Sequence, residues 1–299
     1  VHSPEVCAGC GDSLSLYAEV FSFTGLARRI MSRQGGGAGV YLDKGGRLLC
    51  MALALGAVGS RLRVYTAAQR KAEMQALLLS AVDELKTACV GADRLAEAGA
   101  ACGGALGDKL HDLSLIAEAY DAVVANGRAD PADRLTVLAG QIGASDMDEK
   151  TRVYVDGFID FTAQEHAVLL ELLKKGVQLT VCLTVDALDG SSEIYALSRA
   201  ACRRLMAAAR ESGAELVTET FETGDRAEEL ALFADNMFSY SAASYESRGA
   251  ISLRTAESVS AECEYAAARA LELVRDGGCR WRDIAVAVRG FDDYRGVLE

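Results

Sequence analysis

The spacing of apolar residues along this chain changes from a mixed pattern to a purely helical one and back again. Between residues 44 and 127, apolar side chains recur every three or four positions, the period of a helix with one buried face. Two series show this spacing: Met74, Leu77, Leu78, Ala81, Leu85 and Ala88, and then Leu106, Leu110, Leu113, Ala117, Tyr120 and Val124. Because no segment of this region has a strand pattern, we expect an all-helical subdomain over residues 44–127.

On both sides of that region, short β-branched and aromatic runs alternate with amphipathic segments, which indicates an α/β architecture. The predicted strands are residues 19–23, 152–155, 177–185, 215–220, 250–254 and 284–289, and the predicted helices are residues 24–34, 131–142, 163–175, 193–212 and 258–275. Thr24 is the predicted N-cap of the first helix. We therefore expect one α/β domain made of residues 1–43 and 128–240, interrupted by the helical subdomain, and the start of a second α/β domain at residues 241–299.

Composition narrows the class of protein. A hydrophobic fraction of 51% with 25% charged residues is typical of a folded globular chain. No apolar run reaches the roughly 18 to 20 residues of a membrane span, and residues 48–58 are better interpreted as a buried helix. The first residues lack a signal-peptide pattern and an initiator methionine, so we expect a cytoplasmic chain that begins inside a larger protein. A net charge of −12 argues against a surface whose main task is to grip a phosphate backbone.

Cysteines and glycine-rich segments supply no recognisable cofactor site. Of nine cysteines, only Cys7 and Cys10 have metal-ligand spacing, and no second pair completes a zinc site. We expect all nine to be reduced cytosolic thiols that are mostly buried. Residues 39–45 and 103–110 both lack the Gly-Lys-Ser/Thr ending of a phosphate-binding P-loop, so no Walker A motif is present.

The segment around Asp156 carries the main candidate chemistry. The strand predicted at residues 152–155 ends in Asp156 and is followed by Gly157 and an amphipathic segment. In open α/β sheets, ligands collect at the carboxyl ends of the strands, where such an aspartate can bind Mg²⁺. The alternative is that Asp156 merely caps the helix that follows. Gly157 has no side chain to polarise an attacking water.

Three segments together resemble one helicase family. Residues 20–30, VFSFTGLARRI, resemble the TFTNKAA motif of UvrD-like superfamily I helicases, a turn that touches single-stranded DNA. Residues 155–160, VDGFID, resemble their VDEFQD motif, and residues 283–289, DIAVAVR, resemble the DIAVLYR pattern of the second motor domain. The particular variants SFxxLAxR, DGFxxFTxQE and DIAVxxR are similar to those of the AddB or RexB family, whose members belong to bacterial helicase–nucleases that process double-strand breaks.

The resemblance implies a RecA-like parallel sheet of the P-loop NTPase class, with the helical subdomain inserted and a second RecA-like domain begun. It implies DNA, both single-stranded and as duplex ends, and an AddA-type subunit as partners, with no role for a membrane. ATP and Mg²⁺ are implied for the parent protein, whose P-loop we expect upstream of residue 1. The iron–sulfur cluster of the family is expected outside this chain.

The same resemblance implies a motor core that has lost its chemistry. Active helicases of this type carry a glutamate where Gly157 stands. Residues 183–190, LTVDALDG, lack the glutamine of the expected GDxxQ motif, and residues 226–238 supply no arginine finger. Since phosphoryl transfer depends on such groups for positioning and charge neutralisation, we expect this fragment to be inactive alone. The resemblance implies that such a core instead holds DNA, recognises the Chi sequence and takes part in subunit assembly.

Candidate site residues follow from the resemblance. Asp156 and Arg289 are expected at the nucleotide and Mg²⁺ position, with Gly157 and Asp160 as parts of the degenerate motif, and Thr24, Arg28 and Arg29 are expected to contact DNA. Asp160, with Gln164 and Glu165, is also expected to organise the turn between strand and helix. Two alternatives stay open: an active UvrD-like ATP-dependent helicase truncated at its P-loop, and an unrelated α/β interaction module.

Overall fold

A computed structural model of the chain describes residues 18–34, 41–67, 71–125, 127–221, 227–238, 244 and 246–297. Two compact units are present, Val1–Thr218 and Glu219–Glu299, and each is described by itself. The first contains α1 Phe23–Arg33, α2 Lys44–Val58, α3 Ala72–Thr87, α4 Ala92–Cys102, α5 Gly104–Ala125, α6 Arg134–Ile142, β1 Arg152–Val155, α7 Ala163–Lys174, β2 Gln178–Val181 and α8 Ala196–Glu211. The second contains α9 Glu228–Asn236, α10 Val259–Arg275 and α11 Phe291–Tyr294. Single 3₁₀ turns occur at Gly59–Arg61, Pro131–Asp133, Glu193–Tyr195 and Trp281–Asp283.

The described part of the chain is therefore mostly helical, with one two-stranded parallel sheet formed by β1 and β2. The pairing runs from Arg152 opposite Gln178 to Val155 opposite Val181. At this level the α/β expectation is confirmed. The expected domain limits, at residues 43, 127 and 240, stay predictions.

The helical expectation for the region after residue 44 is confirmed by α2, α3, α4 and α5. Three of these helices, α2, α3 and α5, share a hydrophobic core that includes Met51, Leu55, Leu79 and Tyr120. Helix α3 buries Leu79 and its neighbours, whereas Leu77 of the periodic series is 64% exposed. More residues of α3 are apolar than are buried. The spacing of the apolar residues therefore predicted the helix, but it did not predict which of them contact α2 and α5.

Helices α4 and α5 form a hairpin whose backbones touch. A Cβ atom added to Gly107 would lie 2.6 Å from the carbonyl oxygen of Gly99, which is closer than real Cβ contacts. The intervening turn passes through Gly103 and Gly104, both with positive φ, a conformation that costs glycine little. The crossing therefore depends on the absence of a side chain at Gly107.

A charged cluster lies where the helical region meets the rest of its unit; we call it the root cluster. It consists of Arg47, Lys86, Asp83, Asp121, Asp130 and Asp133. Arg47 pairs with Asp83 and places its Nε 2.9 Å from the side chain of Asp130, which is fully buried. Hydrogen bonding to Asp83 raises the pKa of Arg47, and burial is more than offset at Lys86, whose pKa also rises through its bonds to neighbouring carboxylates. The two cations of the cluster are thus held in their charged forms.

Two short backbone segments connect that region to the remainder of the unit, and they pair with each other. Tyr41 and Ala129 form a parallel bridge, and the N–H of Leu42 donates to the carbonyl of Ala129 at 2.9 Å. The guanidinium of Arg134 lies 4.2 Å from the centre of the Tyr41 ring. The entry and the exit of the helical region are therefore fixed side by side.

A second hydrophobic core joins α1, α6, α7 and α8 to one face of the sheet. Ile30, Leu138, Val155 and Val168 are among its buried members. The strands alternate, so that Val153, Val155, Leu179 and Val181 contact this core while Arg152, Tyr154, Gln178 and Thr180 lie exposed on the opposite face. The sheet of the described residues is thus covered by helices on one side.

Helix α1 is capped two residues earlier than predicted. The hydroxyl of Ser22 accepts the N–H of Gly25 at 3.1 Å, so Ser22 is the N-cap and Thr24 lies inside the first turn. The prediction of Thr24 as the cap was wrong, because Ser and Thr are both good caps and the sequence offers two candidates within three positions.

Several predicted strands are absent from the described part of the chain. Residues 19–22, 215–220, 250–254 and 284–289 form no strand, and the strand expected at residues 177–185 is confined to Gln178–Val181. These segments have strand-like composition, but a strand is defined by hydrogen bonds to a neighbour. No described segment pairs with them.

The second unit is organised around Glu229 on α9. Its carboxylate accepts hydrogen bonds from the Ser247 hydroxyl at 2.7 Å and from the backbone N–H groups of Arg248 and Ala250 at 3.2 and 2.9 Å. These bonds hold the pKa of Glu229 below its usual range, with the Ser247 bond as the largest cause. The segment ahead of α10 is thereby fixed to α9.

None of the described helices is long and apolar enough to cross a membrane.

Candidate functional site at the carboxyl edge of the sheet

The carboxyl ends of β1 and β2 lie side by side and frame a shallow pocket. The N–H of Cys182 donates to the carbonyl of Val155 at 2.8 Å, so the residues after β2 stay next to those after β1. The pocket has a volume of about 320 Å³ and is lined by Asp156, Gly157, Phe158, Ile159, Cys182, Leu183 and Thr184. This is the edge at which open α/β sheets bind ligands.

Asp156 points into solvent at this edge and does not cap α7. The N-cap of α7 is Thr162, which forms a capping box with Glu165: the Thr162 hydroxyl accepts the Glu165 N–H, and the Glu165 carboxylate accepts the Thr162 N–H at 2.9 Å. The alternative role of Asp156 as a helix cap is therefore wrong. Among the described residues, Asp156 forms no ion pair and no side-chain hydrogen bond.

Gly157 adopts φ of 82°, a left-handed conformation that side-chain-bearing residues rarely take. A glutamate in this backbone would be strained whatever space surrounds it. The position at which the resemblance would place a glutamate thus has a backbone shape that does not suit one.

Helix α1 is packed directly against the loop after β1. The ring of Phe23 lies 5.5 Å from that of Phe158 and 6.4 Å from that of Phe161, in edge-to-face geometry. The rings of Phe158 and Phe161 are 5.1 Å apart. The two segments that the sequence singled out, residues 20–30 and 155–160, are therefore brought together by one aromatic cluster.

The predicted DNA-contact residues differ in their surroundings. Arg28 is exposed and has no ion pair among the described residues. Arg29 is 27% exposed and pairs with Glu19 at 2.9 Å, and Thr24 is half-buried. Arg289 is exposed and lies in the other compact unit, so its relation to Asp156 stays a prediction.

Three arginines of α8 hold the loops around the pocket, and no sequence motif marks them. Arg199 donates to Asp186 and to the carbonyl of Ser192, both at 2.6 Å. Arg203 donates to the carbonyl of Leu188 at 2.9 Å. Arg204 pairs with Asp160, and its guanidinium lies 3.4 Å from the carbonyl of Phe161. The sequence signal for this role is the spacing of the three arginines, at positions i, i+4 and i+5, which places them near one another on the same helix.

The carboxylate of Asp186 has its pKa lowered to about 2, first by the backbone N–H of Ala187 and then by Arg199. A carboxyl group with a lowered folded-state pKa stabilises the fold above its unfolded pKa of about 3.9 and loses this contribution as the pH falls toward 2. We expect Asp186→Asn to lower the unfolding midpoint at pH 6, and this difference from the native chain to shrink between pH 4 and pH 2. Thermal unfolding at both ends of this range measures it. A difference that is independent of pH would contradict the assignment, and Asp189→Asn, which removes an exposed carboxylate of the same loop, is the control.

The metal and thiol expectations have different outcomes. In the part of the chain that the structure describes, no group of three or more His, Cys, Asp or Glu side chains forms a metal site. One carboxylate suits Mg²⁺ only when phosphate and water complete its shell, so Asp156 alone fits Mg²⁺ bound together with a nucleotide. Cys7 and Cys10 lie outside the described residues. The seven described cysteines are free thiols, but Cys263 alone among them is buried, so the expectation of mostly buried cysteines was wrong.

Comparison with known proteins identifies the family. A family model described as "ADDB, N-terminal" matches residues 5–234, more than three quarters of the chain. The chain belongs to the AddB family. The B subunit of an ATP-dependent helicase/deoxyribonuclease from Desulforudis audaxviator is 33% identical over 295 residues, with 94% of this chain and 25% of that protein covered.

Two further relatives of the same name agree with this AddB assignment. Those from Bacillus velezensis and Bacillus subtilis are 29% and 28% identical over 298 residues, again with 94% of this chain and 26% of each relative covered. The chain thus spans about a quarter of the length of these AddB relatives. The match excludes the unrelated interaction module, and the relatives' names lend no support to the alternative of a UvrD-type helicase.

Proposed function

We propose that this chain is the helicase-like part of an AddB-type subunit, which holds DNA and its partner subunit in a complex that processes double-strand breaks for recombinational repair. The observation that carries the proposal is the aromatic cluster of Phe23, Phe158 and Phe161, which joins the turn that resembles a DNA-contact motif to the loop after β1. The relatives' name, as subunits of a helicase/deoxyribonuclease, supports the same role.

The architecture proposed with this function is a RecA-like first domain and the start of a second one in the bacterial cytoplasm. The parallel pairing of β1 and β2 and the carboxyl-edge pocket support it. An AddA-type subunit is the proposed partner that translocates. In the longer protein, Asp156 is the proposed contact to Mg²⁺ and ATP, and Arg289 is proposed to approach the nucleotide from the second domain.

We propose that this chain does not hydrolyse ATP, because its pocket, as the described residues form it, lacks the groups that the reaction requires. Hydrolysis of ATP requires a group that orients the attacking water and donors that stabilise the transferred phosphoryl group. Gly157 offers no such group, and the lining that the described residues give the pocket includes no cationic side chain. We propose that the core therefore serves recognition of DNA, including Chi, and assembly.

The proposed DNA site combines stacking and charge. Phe158 is half-buried and lines the pocket, which makes it the proposed stacking partner of a base, while Arg28 on α1 offers a phosphate a cation that no described carboxylate neutralises. Proteins that bind single strands use this pairing of aromatic rings with basic groups. Because the chain has a net charge of −12, a few such residues have to supply most of the attraction.

We expect Phe158→Ala to weaken binding of single-stranded DNA by about 5- to 150-fold, since stacking on an aromatic side chain contributes roughly 1–3 kcal/mol per base. Arg28→Ala is expected to weaken binding several-fold and to reduce the salt dependence by about one phosphate contact. Fluorescence anisotropy of a labelled oligonucleotide at several salt concentrations measures both.

Arg210→Ala is the matched control, because Arg210 is exposed on α8 and forms no ion pair among the described residues. Absence of binding by the native chain, or equal effects of all three variants, contradicts the proposed site. ATP hydrolysis by the native chain in the presence of single-stranded DNA contradicts the proposed lack of turnover, with Asp156→Ala as the control that identifies the site.

A further inference from the structure

The two loops at the carboxyl edge are held by a helix that lies outside the motif-like segments. Arg199, Arg203 and Arg204 of α8 each donate hydrogen bonds to the loop after β1 or the loop after β2. Adjacent arginines on a helix are ordinarily solvated surface charges. Here their partners are Asp160, Asp186 and backbone carbonyls of the loops.

We propose that α8 is a positioning helix, in which Arg204 fixes the loop that presents Phe158 to DNA and Arg199 fixes the opposite wall of the pocket. The proposal rests on the proposed function for its consequence in DNA binding. It assigns Arg199 and Arg204 no contact with DNA, because they act through the loops that they hold.

Two groups hold the tip of the loop after β1: the ring of Phe158, which packs against those of Phe23 and Phe161, and the carboxylate of Asp160. Gly157 has no side chain and Ile159 is 67% exposed, so neither residue adds a further anchor. Asp160 accepts the N–H of the adjacent Phe161 at 2.7 Å, and its remaining described partner is Arg204. The ion pair with Arg204 therefore ties this loop to α8, in addition to the packing of Phe158.

The loop after β2 is held by an arginine that is more buried than Arg204. Arg199 is 7% exposed at its side chain and bridges Asp186 and the carbonyl of Ser192, six residues apart. The N–H of Ser192 also donates to Asp186 at 3.2 Å. The Asp186 carboxylate lies so close to Gly190 that an added Cβ would collide with it. This loop is wrapped around one carboxylate, and Arg199 neutralises it.

Fixing both loops before DNA arrives reduces the ordering cost of binding. Each side chain or loop that is already held in its bound form adds affinity without a new contact. Because the Arg204 pair is partly exposed, with side-chain exposures of 49% and 34%, its loss is expected to free the loop while the fold persists.

The test compares Arg204→Ala, Asp160→Asn and the control Arg210→Ala in the 299-residue chain. Hydrogen–deuterium exchange of the free protein is expected to rise about 5-fold or more at residues 157–161 in the first two variants, with no change in α7. Binding is then measured on a single-stranded oligonucleotide and on one of equal length with abasic sites. Both variants are expected to lose about 3- to 10-fold on the ordinary strand and little on the abasic one.

Unchanged exchange at residues 157–161 in both variants overturns the positioning role. Equal losses on the two oligonucleotides overturn it too, because they assign Arg204 a direct phosphate contact. If the native chain binds neither oligonucleotide, the proposed function fails, whereas the exchange measurement still decides whether Arg204 holds the loop. Asp160→Asn leaves the arginine in place, so agreement between the two variants shows that the pair itself is responsible.

Discussion

Replacing Asp112 by alanine is expected to lower the free energy of unfolding by about 3–5 kcal/mol, the usual range for removing one partner of a buried charged interaction. The side chain is fully buried on α5 and accepts backbone N–H groups from Arg63, Val64 and Tyr65 at 2.9, 2.7 and 3.0 Å. Alanine leaves three donors without a partner in the turn that follows α2. Urea denaturation of the two chains measures the difference.

Asp108→Ala is the matched control for Asp112. Asp108 lies one turn earlier on the same helix and pairs with Arg63 at 2.6 Å, but 42% of its side chain is exposed. An exposed pair of this kind contributes about 0–1 kcal/mol. Equal effects of the two alanine variants would show that the three backbone bonds of Asp112 contribute no more than a surface ion pair.

Arg47→Met is expected to destabilise the chain by about 3 kcal/mol, because it leaves the fully buried Asp130 with one of its two cations. Methionine keeps most of the aliphatic volume, so the effect reports the loss of the guanidinium, which also bonds to Asp83 and to the Tyr120 hydroxyl. Arg63→Met is the control, since Arg63 is 56% exposed and its pair is expected to contribute about 0–1 kcal/mol.

A second measurement locates the effect of Arg47. Hydrogen exchange in Arg47→Met is expected to accelerate most at residues 41–47 and 127–134, where the paired connections meet the root cluster. Acceleration confined to α4, which contributes no residue to the cluster, would contradict the assignment.

Helices of this chain were predictable from the sequence because their evidence is local. The hydrophobic periodicity of a helix and its capping residues lie within ten to twenty consecutive residues. Helix α7 was accordingly expected at residues 163–175, and it lies at Ala163–Lys174. Strands were less predictable, since each requires a partner from elsewhere in the chain. Residues 152–155 formed a strand because Gln178–Val181 pairs with them, whereas residues 284–289 have a similar composition and no described neighbour.

The position of the candidate pocket was predictable from the sequence, whereas the contacts that hold its loops were not. The run ending at Asp156 indicated the carboxyl edge, and the pocket lies there. The pairs of Arg199 with Asp186 and of Arg204 with Asp160 join residues 13 and 44 positions apart, and no local pattern encodes such pairings. For the same reason, the sequence could not distinguish Arg28, which has no ion pair among the described residues, from Arg29, which Glu19 neutralises.

Helix α5 connects the close crossing at Gly107 to the root cluster. Its 22 residues span about 33 Å at 1.5 Å per residue, with the glycine contact near one end and the root cluster near the other. A tilt of α5 by about 10° about Asp121 would displace its first residue, about 26 Å away at 1.5 Å per residue, by about 4–5 Å. Because the backbones of Gly99 and Gly107 are in contact, α4 would move with that end, so a small change at the root cluster would displace both helices of the hairpin.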